Sequence, residues 1–229
     1  MSKTSAPLLS DAQRRAFREL AASTDGIDSE VYARFGRDPL EPIVAHGDRH
    51  AALGFFGRDP GRDEVQHQEP FIGAGGQLVR RALYQHRHGQ PLPDFEASRD
   101  IGRHYFWANT VPYKPVGNVA WSTKVKKRYQ PLMASVLADD WQGRHLITLG
   151  REAFLWFGLN QGKDAVQRLD AFWAREDRFE TAISVVVQGA SGRQREISLH
   201  PLPHPSPLNA TWYGRFPGLL KARLEQLDR

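Results

Sequence analysis

Apolar positions along the chain follow two rhythms. Behind Ser10, a residue suited to capping a helix, Ala12, Ala16, Phe17 and Leu20 recur three to four apart, which predicts a helix over residues 10–22. A second helix is expected to begin near Gly75 or Gly76 and to carry Leu78, Val79, Ala82 and Leu83. A third runs from the basic stretch at Lys124 to about Leu137, a fourth covers 151–157, and a closing amphipathic helix follows Pro217 with Leu219, Leu220, Leu224 and Leu227. Between these lie short apolar or β-branched runs at 51–56, 104–109, 145–149, 182–187 and 196–202, each of strand length. Residues 36–48 and 112–122, rich in Pro and Gly, read as loops, and 189–193 as a turn.

Strands separated by helices predict a three-layer α/β/α sandwich around a mostly parallel sheet, expected to have four strands. The whole chain, 1–229, reads as one domain, with 1–40 as an N-terminal helix and loop extension. In such sheets ligands sit beyond the carboxyl ends of the strands. Segments 57–61, 109 onward and 204–209 each follow a strand, so the fold should gather them at one edge. Phe-Gly-Arg-Asp-Pro occurs twice, at 35–39 and 56–60, but only the second copy follows an apolar strand.

Composition narrows the function. With 40% apolar and 25% charged residues the chain is ordinary for a globular domain, and no run approaches the ~20 apolar residues of a membrane helix. Met1 to Pro7 has no apolar core of the signal-peptide type, so a cytoplasmic, nucleoid-accessible protein without membrane association is expected. The net charge of +5, from 31 basic against 26 acidic residues, is compatible with a polyanionic partner. Cysteine is absent, which removes disulfides, thiol nucleophiles, zinc–cysteine sites and cysteine-held iron–sulfur clusters together.

Four segments then share an order. Gly57-Arg58-Asp59-Pro60-Gly61 is a turn after the first strand; Pro70-Phe71-Ile72-Gly73 precedes Gly75-Gly76-Gln77-Leu78; Asn109 to Asn118 contains Pro115 and Gly117; and His204-Pro205-Ser206-Pro207-Leu208-Asn209 follows the last strand. In this order they resemble the motifs of the uracil-DNA glycosylase superfamily, over about Ala51 to Leu220, and are most similar to its thermophile-type branch. That branch holds an iron–sulfur cluster with four cysteines. Here two of those positions align with Tyr113 and Tyr129 and the other pair has no counterpart, so no cluster or other cofactor is expected, and aromatic packing is expected in its place. Arg58-Asp59 also departs from the Glu-Ala of that branch and comes closer to the Gln-Asp of another.

The resemblance implies a DNA glycosylase that binds DNA, single- or double-stranded, as a monomer, turns uracil out of the helix and hydrolyses its N-glycosidic bond. Such a reaction needs a carboxylate near C1′, an oriented water and a donor to the departing base. Asp59 would be the carboxylate and His204 the donor to base O2. Gly57, Phe71 and Asn109 would hold the base, Phe71 by stacking and Asn109 by pairing with O4 and N3–H of uracil. Leu208 would fill the emptied stack, Ser206 and the backbone at Gly75, Gly76 and Gln77 would take phosphates, and the run with Lys126 and Lys127 would grip the DNA backbone. His200, on a strand, reads as a core residue. Gly61 stands where one branch has a Tyr crowding base C5, so thymine and larger bases are not excluded at that wall.

Each of these residues also has an ordinary reading: Asp59 and Ser206 as turn formers, Asn109 as an Asx-turn, Phe71 as core, and the basic run as a solvated helix face. Two other functions remain open from sequence. One is a catalytically silent DNA-binding relative, against which Asp59 argues. The other is a hydrolase of free nucleosides, which has no use for Leu208 as a wedge.

Overall fold

The computed structural model describes residues 9–44, 47–117, 119–207 and 209–228. Helix α1 (Asp11–Ala22) starts at Ser10, whose hydroxyl and backbone exchange hydrogen bonds with Gln13 in a reciprocal cap. A short α2 (Ser29–Arg34) precedes β1 (Leu53–Gly57), which leads into α3 (Arg62–His67) and α4 (Ala74–His88). Next come α5 (Phe95–Gly102), β2 (Phe106–Asn109), and α6 (Thr123–Ser135), which continues as a wider π turn through Asp140. β3 (His145–Leu149) and α7 (Arg151–Leu155) follow, then α8 (Lys163–Trp173), the hairpin of β4 (Ile183–Gln188) and β5 (Gln194–Leu202), α9 (Ala210–Tyr213) and α10 (Phe216–Leu227).

The sheet order is β2-β1-β3-β5-β4, parallel except for β4. It therefore has five strands rather than the expected four. The extra strand joins as the outer arm of an antiparallel hairpin, which needs only the turn at 189–193 and no crossover helix. Both faces of the sheet are covered, as parallel strands require. Adjacent strand residues point to opposite faces, so the pairs Phe55/Phe56 and Phe106/Trp107 divide between two cores. Phe56, Phe106, Leu146, Ile197 and Leu199 pack with Phe17 of α1, Tyr129 and Met133 of α6 and Phe154 of α7. Phe55, Trp107 and Ile147 pack with Val79 and Leu83 of α4, Ile101 of α5 and Leu220 and Leu224 of α10.

Two polar devices brace these layers, one at the surface and one buried. Pro131 deprives α6 of one N–H, and the carbonyl of Lys127, four residues earlier, instead accepts from Asn160 Nδ2 at 3.0 Å. On the other face, Arg223 Nη1 lies 3.2 Å from His200 Nδ1. Because Arg can only donate, the His200 proton belongs on Nε2, which then donates to His145 Nδ1 at 3.1 Å. Burial first, with the Arg223 charge, lowers the pKa of His200 to about 3 and keeps it neutral. Among the described residues no helix is long and apolar enough to cross a membrane.

Candidate active site

The sheet order places β1 and β3 side by side with their onward connections running to opposite sides, and the crevice at such a switch point is where parallel sheets hold ligands. A cavity of about 610 Å³ opens there, lined by Gly57, Asp59, Glu64, Phe71, Asn109 and His204 among others. A second lobe shares Arg58, Asp59, Gly61, Gly117, His204 and Ser206 with it. The ends of β1, β2 and β5 and the N-terminus of α4 thus meet in one cleft.

Gly57 ends β1, and only a glycine fits there: a Cβ would run into the Phe71 ring and come within 3.1 Å of Asn109 Oδ1. Base-sized space between Phe71 and Asn109 therefore depends on that missing side chain. Asn109, at the end of β2, is 3% exposed. Among the described residues nothing hydrogen-bonds to its side-chain amide, which borders the cavity. A buried amide without a protein partner is costly unless a ligand completes it.

Asp59 sits in the turn after β1 with its side chain 2% exposed. Arg58 Nε donates to its Oδ2 at 3.1 Å, and Thr110 Oγ1, just past β2, lies 3.4 Å from its Oδ1. Thr110 also returns its backbone N–H to the carbonyls of Gly57 and Arg58 at 2.9 and 3.0 Å, so β2 fixes the turn. Burial pushes the Asp59 pKa up to about 6, against the opposing charges of Arg58 and Lys126 and a Trp121 backbone N–H. His204, two residues beyond β5, keeps contact with solvent through the cleft mouth. The protein around its ring, and then the Arg58 charge, lowers its pKa below the ordinary imidazole range, so its neutral form prevails at pH 7.

At the other wall, Gly75 and Gly76 lie in the first turn of α4. A Cβ on Gly75 would stand 2.9 Å from the Pro205 carbonyl, so this glycine lets the His204 loop close against the helix. N–H groups of a first helical turn have no partner within the helix, and here they border the cleft. Gln77 turns inward instead, its Nε2 donating to the Ile72 carbonyl and Ser98 Oγ at 3.0 and 3.1 Å. Ser206 borders both lobes. Lys127 is exposed on α6, whereas Lys126 is buried and ion-paired with Glu152. Leu208 and Asn118 lie outside the described residues.

Sequence reading missed two of the cleft's own fixings. Glu64 of α3, half-buried beside the cavity, accepts from the N–H groups of both Gly61 and Gly73 at 2.9 and 3.0 Å. It ties the turn of Asp59 to the loop of Phe71, and it occupies the space a side chain at Gly61 would need. The Gly-x-x-Glu spacing at a helix start was the available signal. Lys114 is the other, 4% exposed, with Nζ donating to Asp28 Oδ2 and to the carbonyls of Pro115 and Gly117.

The residues do not fit an iron–sulfur cluster, because the sequence has no thiolate to hold iron. Tyr113 and Tyr129 pack ring to ring at 5.6 Å, with hydroxyls donating to the Leu40 carbonyl and to Thr24 Oγ1. A search among curated proteins finds no match to the chain. The family model described as the uracil DNA glycosylase superfamily matches residues 44–228, which include every strand and nearly all of the residues lining the cleft. The chain belongs to the uracil DNA glycosylase superfamily, and with that membership goes a DNA glycosylase-type hydrolase function.

Proposed function

We propose that this protein excises uracil from DNA. The observation that carries the reading is the partnerless, buried Asn109 amide set opposite Phe71 across the space Gly57 leaves open. A uracil turned out of the helix would stack on Phe71 and offer O4 to the Asn109 N–H and N3–H to its carbonyl. Cytosine presents the opposite pattern and would be met only by an amide turned over by 180°.

Chemistry then follows from Asp59 and His204. Water attacks C1′ while the C1′–N1 bond breaks, and its electron pair leaves with the base. The ionised Asp59 stabilises the cationic sugar, orients the water and takes its proton as the new C1′–O bond forms. A neutral His204 donates to O2 as negative charge gathers on the departing base. Leu208 would enter the vacated stack, and Ser206, the α4 N-terminus and Lys127 would hold phosphates. Lys126 takes part only if DNA phosphate displaces Glu152. The protein would act as a monomer, in the nucleoid-containing cytoplasm, on single or double strands.

The test is release of free base from matched single- and double-stranded oligonucleotides carrying uracil, thymine, hypoxanthine or ethenocytosine, beside free deoxyuridine. Uracil release from DNA with an abasic strand left behind is expected. Binding of uracil-DNA without cleavage would leave a silent relative, and preferential turnover of deoxyuridine a nucleoside hydrolase.

A further inference from the structure

The backbone of Phe71 is left-handed, at φ 57°, a conformation uncommon for any side chain and costly for a bulky one. Its surroundings impose it. The Phe71 carbonyl is turned into the space over Gly76, where any Cβ would overlap it. There it accepts from Arg80 Nε at 2.9 Å. Arg80 is fully buried, and its other nitrogens hold the same segment: Nη2 donates to Glu69 Oε1 at 2.9 Å and the Pro70 carbonyl at 3.2 Å, and Nη1 to the Ser98 carbonyl at 2.8 Å. Glu69 supplies the counter-charge that a buried guanidinium requires, with its second oxygen on Arg99 Nε at 3.1 Å. The guanidinium also lies 4.9 Å over Trp107, whose ring in turn meets Phe71 at 5.3 Å. Gly102 leaves out the side chain that would collide with Arg80.

We propose that Arg80 is a positioning residue for base recognition: it holds residues 69–71 in the strained turn that aims the Phe71 ring across the cleft at Asn109. The inference rests on the reading in which Phe71 stacks on the base. Only a planar fork with its N–H groups in fixed directions can reach three successive residues and a neighbouring helix at once, which a lysine ammonium cannot. Arg80 does not line the cavity, so it acts on the base only through Phe71.

The experiment compares affinity for DNA carrying non-hydrolysable 2′-fluorodeoxyuridine with affinity for DNA carrying a tetrahydrofuran abasic analogue. The ratio isolates contacts to the base. Phe71→Ala should lower it about tenfold, in keeping with one lost stack. Arg80→Lys should lower it at least threefold, and the double variant should be no worse than Phe71→Ala alone, because both changes remove one interaction. Gly102→Ala pushes on the Arg80 guanidinium from α5 and should give the same non-additive loss, which covers the case that Arg80→Lys fails to fold. Losses that multiply, or an unchanged ratio in a folded Arg80→Lys or Gly102→Ala protein, overturn the proposal. An unchanged ratio in Phe71→Ala overturns the stacking reading itself.

Discussion

Asp59 and His204 stand on opposite lips of one cleft, at the ends of β1 and β5, and the same force moves them in opposite directions. Protein packed around a group disfavours its charged form: it raises Asp59, whose side chain is buried, and lowers His204, whose ring is still open to solvent at the cleft mouth. The consequences differ. In the proposed reaction His204 acts in its neutral form, and its environment keeps it neutral across the whole physiological range. In the same proposal Asp59 acts only when ionised, and its environment works against that. Arg58, Lys126 and the Trp121 N–H hold the Asp59 pKa down at about 6, low enough for the carboxylate to prevail at pH 7. The protein around the cleft favours the working form of one residue and opposes that of the other.

The comparison breaks first at Asp59. Asp59→Asn should slow single-turnover excision by at least ~100-fold, since one positioned charge commonly supplies that much, with little change in uracil-DNA affinity. In the parent enzyme the rate should climb with pH through about 6, as Asp59 ionises, and then level off, with no limb from His204 in that range. Asn109→Asp should cost roughly tenfold to a hundredfold on uracil, because a carboxylate offers O4 only repulsion, and any gain on cytosine should be weak. Parental uracil excision by that variant would mean that Asn109 does not read the base.

Stability gives a sharper and smaller effect. The folded Asp59 pKa of about 6 lies above the ordinary 3.8, so the folded state holds the extra proton, and its stability falls as pH rises between those values. A gap of that size corresponds to about 3 kcal/mol. Asp59→Asn should therefore melt several degrees higher than the parent at pH 8 and at nearly the same temperature at pH 4. The smallest effect belongs to α6. Lys127→Ala should weaken DNA binding a few-fold and reduce the salt slope by ~1. Lys126→Ala removes one of the charges that hold the Asp59 pKa down, along with a half-exposed ion pair to Glu152, so the pH midpoint of the rate should move up slightly.

Much of this site could be read from the chain because it is local. The turn at Gly57 to Gly61, Phe71 before Gly73, and His204 to Ser206 each declare themselves within a few residues, and a parallel sheet carries them to one edge. Helices with a broad apolar stripe were equally plain. The unread helices α2 and α3 are six residues each and bury only Tyr32 and Val65, too little to show a period, whereas α8 carries Val166, Leu169, Phe172 and Trp173 at helical spacing and could have been read. Arg80 was invisible for a related reason. It lies in the buried stripe of α4 with Val79 and Leu83, where apolar patterning has no place for a guanidinium. Its partners Glu69, Phe71 and Ser98 come together only in three dimensions. The fifth strand was legible as a run of β-branched residues, but its pairing as a hairpin arm was not.

The strand order also sets when the cleft can come into being. The β4–β5 hairpin closes a five-residue turn and needs almost no chain to be recruited. The pairing of β1 with β3, and of β3 with β5, closes long loops whose entropy must be lost before any contact returns it. Because the cleft draws on the ends of β1, β2 and β5 at once, it cannot form in an intermediate that has only the hairpin. In refolding, secondary structure at the hairpin should therefore appear before the first excised base, and the interval between them measures the closure of β1 onto the rest of the sheet.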